Sequence, residues 1–182
     1  MKKKISLFAG NGCAKEKEAE YFSMAHRMGT LLAENDFVTV TGAGAGLMEE
    51  AMRGAFEAGG ETAGVVLNFK GRKPSRYLKD STVFDTLAPR QDKLVKDGDA
   101  YIALPGGVGT FYEIFNILAF KRLNEIPHKK PFILVGAYYN MFEDMLKKMQ
   151  SEGFVEKEIF SYYDRAETPE EALTILKRKI LM

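Results

Sequence analysis

Glycine gathers in clusters, and each cluster sits between a short apolar run and a stretch of helical periodicity. The clusters are Gly10-Asn11-Gly12, Gly42-Ala43-Gly44-Ala45-Gly46 and Pro105-Gly106-Gly107-Val108-Gly109-Thr110. Backbone without Cβ atoms turns sharply and lets other groups approach closely, so this punctuation marks places where a strand gives way to a helix. The apolar runs predict strands over residues 5–10, 37–41, 62–67, 82–86, 100–104 and 131–135. Helices are predicted over 16–35, 46–58, 90–97, 110–123, 141–152 and 169–179. In the first of these, Ala19, Phe22, Ala25, Met28, Leu31 and Leu32 recur at helical spacing. Thr168 is suited to cap the last. Residues 68–80, which include Lys70, Arg72, Lys73, Pro74 and Arg76, read as a polar loop. The run at 100–104 is almost uniformly apolar, as in a strand covered on both faces. Strand and helix in alternation predict an α/β protein, a three-layer sandwich with a parallel sheet flanked by helices.

The length of 182 residues suits one domain over 1–182, with no repeat or linker to divide it. A net charge of +1 gives no electrostatic reason to expect nucleic acid or an acidic membrane surface as partner. No stretch approaches the roughly 18 apolar residues of a membrane span. The apolar run after Met1-Lys2-Lys3-Lys4 stops at Gly10, too soon for a secretory signal. Cys13 is the single cysteine and stands with only His26 and His128, so neither a disulfide nor a zinc site is expected. The expectation is a cytoplasmic protein without metal or cofactor.

In parallel sheets of this kind, ligands bind where loops leave the carboxyl ends of the strands. A glycine loop that opens a helix presents unpaired N–H groups beside the positive end of the helix dipole, which suits a phosphate. The segment 103–110 has this form, with a tight turn alone as the plainer account. The 42–46 run misses the dinucleotide fingerprint by one residue, and the strand after it ends near Asn68 without an acid for a ribose hydroxyl. The lysine-containing ATPase loop does not occur. What remains is a monophosphate held by backbone amides without magnesium.

Pro105-Gly106-Gly107-Val108-Gly109-Thr110-Phe111-Tyr112-Glu113 matches every specified position of PGGxGTxxE. On this stretch the chain resembles the Lonely Guy family, the cytokinin riboside 5′-monophosphate phosphoribohydrolases long mislabelled as lysine decarboxylases. The stretch from Thr41 to Glu49 is similar to the family's TGGGPGLME, with Ala43 and Ala45 in place of a glycine and the proline. Arg90 stands at the spacing of the family's catalytic arginine. The resemblance implies a Rossmann-like homodimer with its active site close to the subunit interface. It also implies a small-molecule nucleoside monophosphate as substrate, AMP or an N6-substituted AMP, split into free base and ribose 5-phosphate. Carried over by position, Arg90 and Glu113 are catalytic, and Gly106, Gly107, Val108, Gly109 and Thr110 bind the phosphate. Gly10, Asn11, Gly44, Met48 and Gln91 are further candidate substrate contacts. Gln91 stands where the family usually has lysine, and Phe120 where a tryptophan is common. A carrier that holds a nucleotide or phosphorylated cofactor without turnover is the alternative reading, which Gln91 and the altered 42–46 run keep open.

Splitting an N-glycosidic bond builds positive charge on the sugar ring. A nearby carboxylate can stabilise that charge or deprotonate the attacking water. Glu113, expected in the first helical turn after the phosphate loop, suits that task, with Arg90 orienting it or the substrate. Thr110 and Glu113 also form a T-x-x-E capping box, a competing account of the glutamate. For Arg90, the plainer account is a surface residue opening a helix.

Overall fold

The computed structural model describes residues 1–69, 71 and 74–180. The strands are β1 (Lys4–Phe8), β2 (Val38–Thr41), β3 (Glu61–Leu67), β4 (Asp80–Phe84), β5 (Ala100–Ala103), β6 (Phe132–Val135) and β7 (Asp164–Ala166). The α-helices are α1 (Glu18–Glu34), α2 (Leu47–Glu57), α3 (Leu87–Asp97), α4 (Val108–Arg122), α5 (Asn140–Ser151) and α6 (Pro169–Ile180). The strands form one seven-stranded sheet in the order β4-β3-β2-β1-β5-β6-β7, and every neighbouring pair is parallel.

The central strands are buried from both sides, and their alternate side chains separate two cores. Tyr101 and Ala103 of β5, with Phe132 and Leu134 of β6, join Leu94 of α3, Ile114 of α4 and Phe142 of α5. Ala100, Ile102, Ile133 and Val135 turn the other way, onto Met28 of α1, Ala51 of α2 and Leu176 of α6. This period of two makes the three layers expected of the α/β alternation. Among the described residues, no helix is long and apolar enough to cross a membrane.

The differences from the sequence expectations are local and have physical causes. β7 was not predicted, because a three-residue Asp-Arg-Ala strand at the sheet edge has no apolar run. α3 starts a turn early, at Leu87, with Pro89 in the first turn, where a missing N–H is harmless. α4 starts at Val108 rather than Thr110, with Gly107 at its N-cap. Of the polar loop at 68–80, Lys70, Arg72 and Lys73 lie outside the described residues, and Asp80 already belongs to β4. Thr168 does cap α6, its Oγ1 accepting the N–H of Glu171 at 3.2 Å.

Lys121 of α4 is almost wholly buried. Its ammonium donates to the carbonyls of His128 at 3.1 Å, Lys130 at 2.7 Å and Tyr162 at 2.5 Å, tying α4 to the segments that enter β6 and β7. Burial pushes its pKa down to about 8. On the opposite face, α1 and α2 touch at backbone level. A Cβ on Gly29 would strike the Ala51 carbonyl, and one on Gly54 the carbonyl of His26. Gly29→Ala should therefore lower the unfolding free energy in urea by at least about 1 kcal/mol, the overpacking outweighing the gain in helix propensity. An unchanged urea midpoint would mean that the two helices separate freely.

Candidate active site

The chain leaves β1 towards β2 on one side, while β5 and all that follows lie on the other. The crevice between the carboxyl ends of β1 and β5 is therefore the switch point of the sheet. Two glycine loops meet there. Leu104 donates its N–H to the Phe8 carbonyl at 2.9 Å, and Gly10 donates to the Pro105 carbonyl at 3.0 Å. A Cβ on Gly106 would come within 2.7 Å of Thr110 Cβ and 2.8 Å of the Gly10 nitrogen. Glycine at 106 is thus required for the loops to close on each other. Gly107 and Gly109 differ: a Cβ at either would meet nothing within 4 Å, because both border the open crevice.

The loop turns its carbonyls inward. The Leu104 and Gly106 carbonyls accept from the hydroxyls of Tyr139 and Tyr138, each at 2.7 Å, and the Gly107 carbonyl accepts from the Phe111 N–H at 3.0 Å. Among the described residues, no acceptor takes the N–H groups of Gly107, Val108, Gly109 or Thr110. These donors lie at the positive end of the 15-residue α4. Such an array can hold an anion without help from a cationic side chain.

The crevice encloses about 380 Å³. Its loop side is formed by Gly107, Val108, Gly109 and Thr110, with Gly10, Asn11 and Gly12 from the β1 loop. Met48, Arg90 and Glu113 complete its polar and flexible part, and Ala9, Leu67 and Leu87 supply apolar wall. Leu67, Leu87 and Ala9 went unrecognised in the sequence, where Gly12 is marked only as part of a glycine cluster. The first two end β3 and open α3, positions that face the crevice only because of how those elements pack. Three candidates lie outside the lining. Gly106 serves loop closure, and Gly44 is buried. Gln91 is 1% exposed, with neither amide atom hydrogen-bonded among the described residues.

Arg90 and Glu113 meet across the floor of the crevice, Nη1 to Oε1 at 2.9 Å, with each side chain about 10% exposed. Arg90 Nε also donates to the Val65 carbonyl at 3.0 Å. Gly42 leaves room for the guanidinium, since a Cβ there would sit 3.2 Å from Arg90 Cζ. Two expectations are corrected here. Glu113 lies in the second turn of α4 rather than the first, and its carboxylate pairs with Arg90 instead of closing a capping box. Arg90 is a buried residue inside α3 rather than a surface residue opening a helix. Burial raises the Glu113 pKa to about 6, against the lowering pull of Arg90. The carboxyl is thus poised to change charge just below neutral pH. In the 42–46 run, Ala43 holds the left-handed φ of 53°, a conformation in which glycine is at ease and alanine is strained.

A family model described as "Possible lysine decarboxylase" matches residues 48–176. A probable cytokinin riboside 5′-monophosphate phosphoribohydrolase of Oryza sativa subsp. japonica is 31% identical over 159 residues, 84% of this chain but 63% of the rice protein. The chain therefore spans less than two thirds of that relative. A cytokinin riboside 5′-monophosphate phosphoribohydrolase of Arabidopsis thaliana is 32% identical over 161 residues, 84% of this chain and 72% of its own. Among solved structures, the molybdenum cofactor binding protein of Rippkaea orientalis superposes with a TM-score of 0.77 at 24% identity, covering 100% of this chain and 99% of that one. That likeness is one of fold.

The raised pKa of Glu113 has a consequence for stability. An acid whose pKa rises on folding favours the native state below its unfolded value, here 4.5, and that contribution is lost as pH climbs through about 6. The unfolding free energy of the wild type, less that of Glu113→Gln, should fall by about 2 kcal/mol between pH 4 and pH 7. Denaturant titrations at both pH values test this, and a pH-independent difference would contradict it.

Proposed function

The chain belongs to the family described as possible lysine decarboxylases, the Lonely Guy family, and on that footing we propose that it hydrolyses a nucleoside 5′-monophosphate. The substrate is AMP or an N6-substituted AMP, and the products are free base and ribose 5-phosphate. One observation carries the reading: unpaired amides at the start of α4 and the buried Arg90–Glu113 pair open into the same crevice. The amides grip the 5′-phosphate, which sets the ribose over the carboxylate. The bond from C1′ to the base nitrogen breaks as positive charge develops on the ring. A water oxygen then bonds to C1′, while its proton passes to Glu113 and on to the departing base. Glu113 serves as the ionised form, and Arg90 holds its orientation. The apolar walls at Leu67 and Leu87 suit the flat face of a base.

The homodimer belongs to the same proposal. α4 carries large apolar side chains on its exposed side as well as towards the core, which in a surface helix marks a second covered face. Val108, Tyr112 and Phe115 of α4 lie exposed beside Met141 and border one apolar groove with Phe111 and Met145. Val108 borders both groove and crevice, so a second copy seated on the groove lies next to the substrate.

A carrier that binds the nucleotide without turning it over is the competing reading, because the amide array grips a phosphate whether or not chemistry follows. Incubating the protein with a panel of nucleoside monophosphates, with chromatography of released base, separates the two. Hydrolysis of at least one member is expected, with the rate rising through about pH 6 as Glu113 ionises. Glu113→Gln should lose at least about 100-fold in rate. Thermal stabilisation by AMP with no base released from any member would favour the carrier. Phe115→Asp should convert a two-chain particle to single chains in light scattering. Wild-type protein with the mass of one chain would remove the dimer.

A further inference from the structure

Two tyrosines after β6 hold the phosphate loop from behind. The turn that carries them is fixed at both ends. Gly136 takes the left-handed φ of 93°, and its carbonyl accepts from Arg165 Nη2 at 3.0 Å. The same Nη2 donates to Asn140 Oδ1 at 3.0 Å, while Nη1 lies 3.1 Å from Glu143. β7, the edge strand that supplies Arg165, thus anchors a turn that reaches the back of the loop before α4. The half-buried Tyr138 ring packs edge-on against Tyr139 at 5.4 Å and Tyr21 at 6.3 Å, and tilts over Phe111 at 6.4 Å. A ring confined by three others has little freedom to move its hydroxyl.

That hydroxyl donates to the Gly106 carbonyl at 2.7 Å. In a planar trans peptide, the carbonyl and the following N–H point in opposite directions. Drawing the Gly106 oxygen back towards Tyr138 therefore drives the Gly107 N–H forward, on the side where Gly107 borders the crevice. Tyr139 makes the same kind of bond to the Leu104 carbonyl, also at 2.7 Å, but the next residue is Pro105, which has no N–H to aim. One hydroxyl orients a donor, and its neighbour only satisfies a buried oxygen.

We propose that Tyr138 is a positioning residue of this site, aiming the Gly107 amide at the ligand's phosphoryl group through the Gly106 carbonyl. The inference rests on reading the crevice as a phosphate site. It concerns binding, and so holds for a hydrolase and a carrier alike.

Calorimetry with AMP and with adenosine on wild type, Tyr138→Phe and Tyr139→Phe tests it. Tyr138→Phe should bind AMP about 10-fold more weakly, the scale of one hydrogen bond to a charged group, with adenosine binding unchanged. Tyr139→Phe should melt at a lower temperature yet bind AMP within about twofold of wild type. By NMR, AMP should move the Gly107 amide proton downfield in wild type and less so in Tyr138→Phe. AMP binding by Tyr138→Phe within twofold of wild type overturns the proposal, as does an equal loss of AMP and adenosine. Wild-type protein that binds AMP no better than adenosine overturns the phosphate-site reading itself, and this inference with it.

Discussion

The hydrogen bond from the Gly10 N–H to the Pro105 carbonyl joins two loops that are almost a hundred residues apart in sequence, and the crevice exists because they meet. It extends the parallel register of β1 and β5 beyond the last strand residues, from Phe8 opposite Ala103 into the loops themselves. The two chains close to within contact distance because neither carries a side chain there. A Cβ on Gly10 would lie 3.2 Å from Gly106 Cα. Once the loops are locked, the start of α4 is fixed over the end of the sheet, and the directions of its first N–H groups follow.

The Arg90–Glu113 pair depends on the same arrangement. α3 and α4 lie on one face of the sheet, and each brings one charge to the crevice floor. A buried ion pair contributes little net stability, because desolvating two charges offsets most of their attraction. Its position at the end of the sheet therefore adds little to the stability of the fold. The guanidinium is held twice, by the carboxylate and by the Val65 carbonyl, so a single rotamer is selected. Burial of the carboxylate outweighs the pull of its partner, and its protonation responds to pH just below neutrality.

Much of this was legible in the residues. Apolar runs and glycine clusters place the strands and loops because they report on burial and backbone freedom, which are local properties. Gly107, Val108, Gly109 and Thr110 could be assigned to one loop for that reason, whereas the resemblance to the family's motif singles out Arg90 and Glu113. The illegible parts depend on distant packing. Leu67 and Leu87 are ordinary apolar residues until the sheet brings their elements to the crevice. Thr110 and Glu113 form a good capping sequence, yet the helix begins at Val108 because the Gly107 backbone can already serve as its cap. Gln91 follows the arginine in sequence, but a step of one residue along a helix turns its side chain by about 100°, away from the lining and into a site without partners. β7 is too short and too polar to announce itself, although its arginine braces the turn behind the loop.

The amide donors of the α4 loop belong to the main chain, and this bears on how such a protein diverges. Every amino acid but proline carries the same N–H, so ordinary drift in side chains leaves the anchor for an anion in place. The surrounding wall, made of Met48, Leu67 and Leu87, has no such protection and is free to change with each replacement. On the reading proposed above, a lineage built on this frame can exchange the group attached to the phosphate while keeping the handle by which it is held. The fold can then pass from one phosphorylated compound to another without first losing its grip.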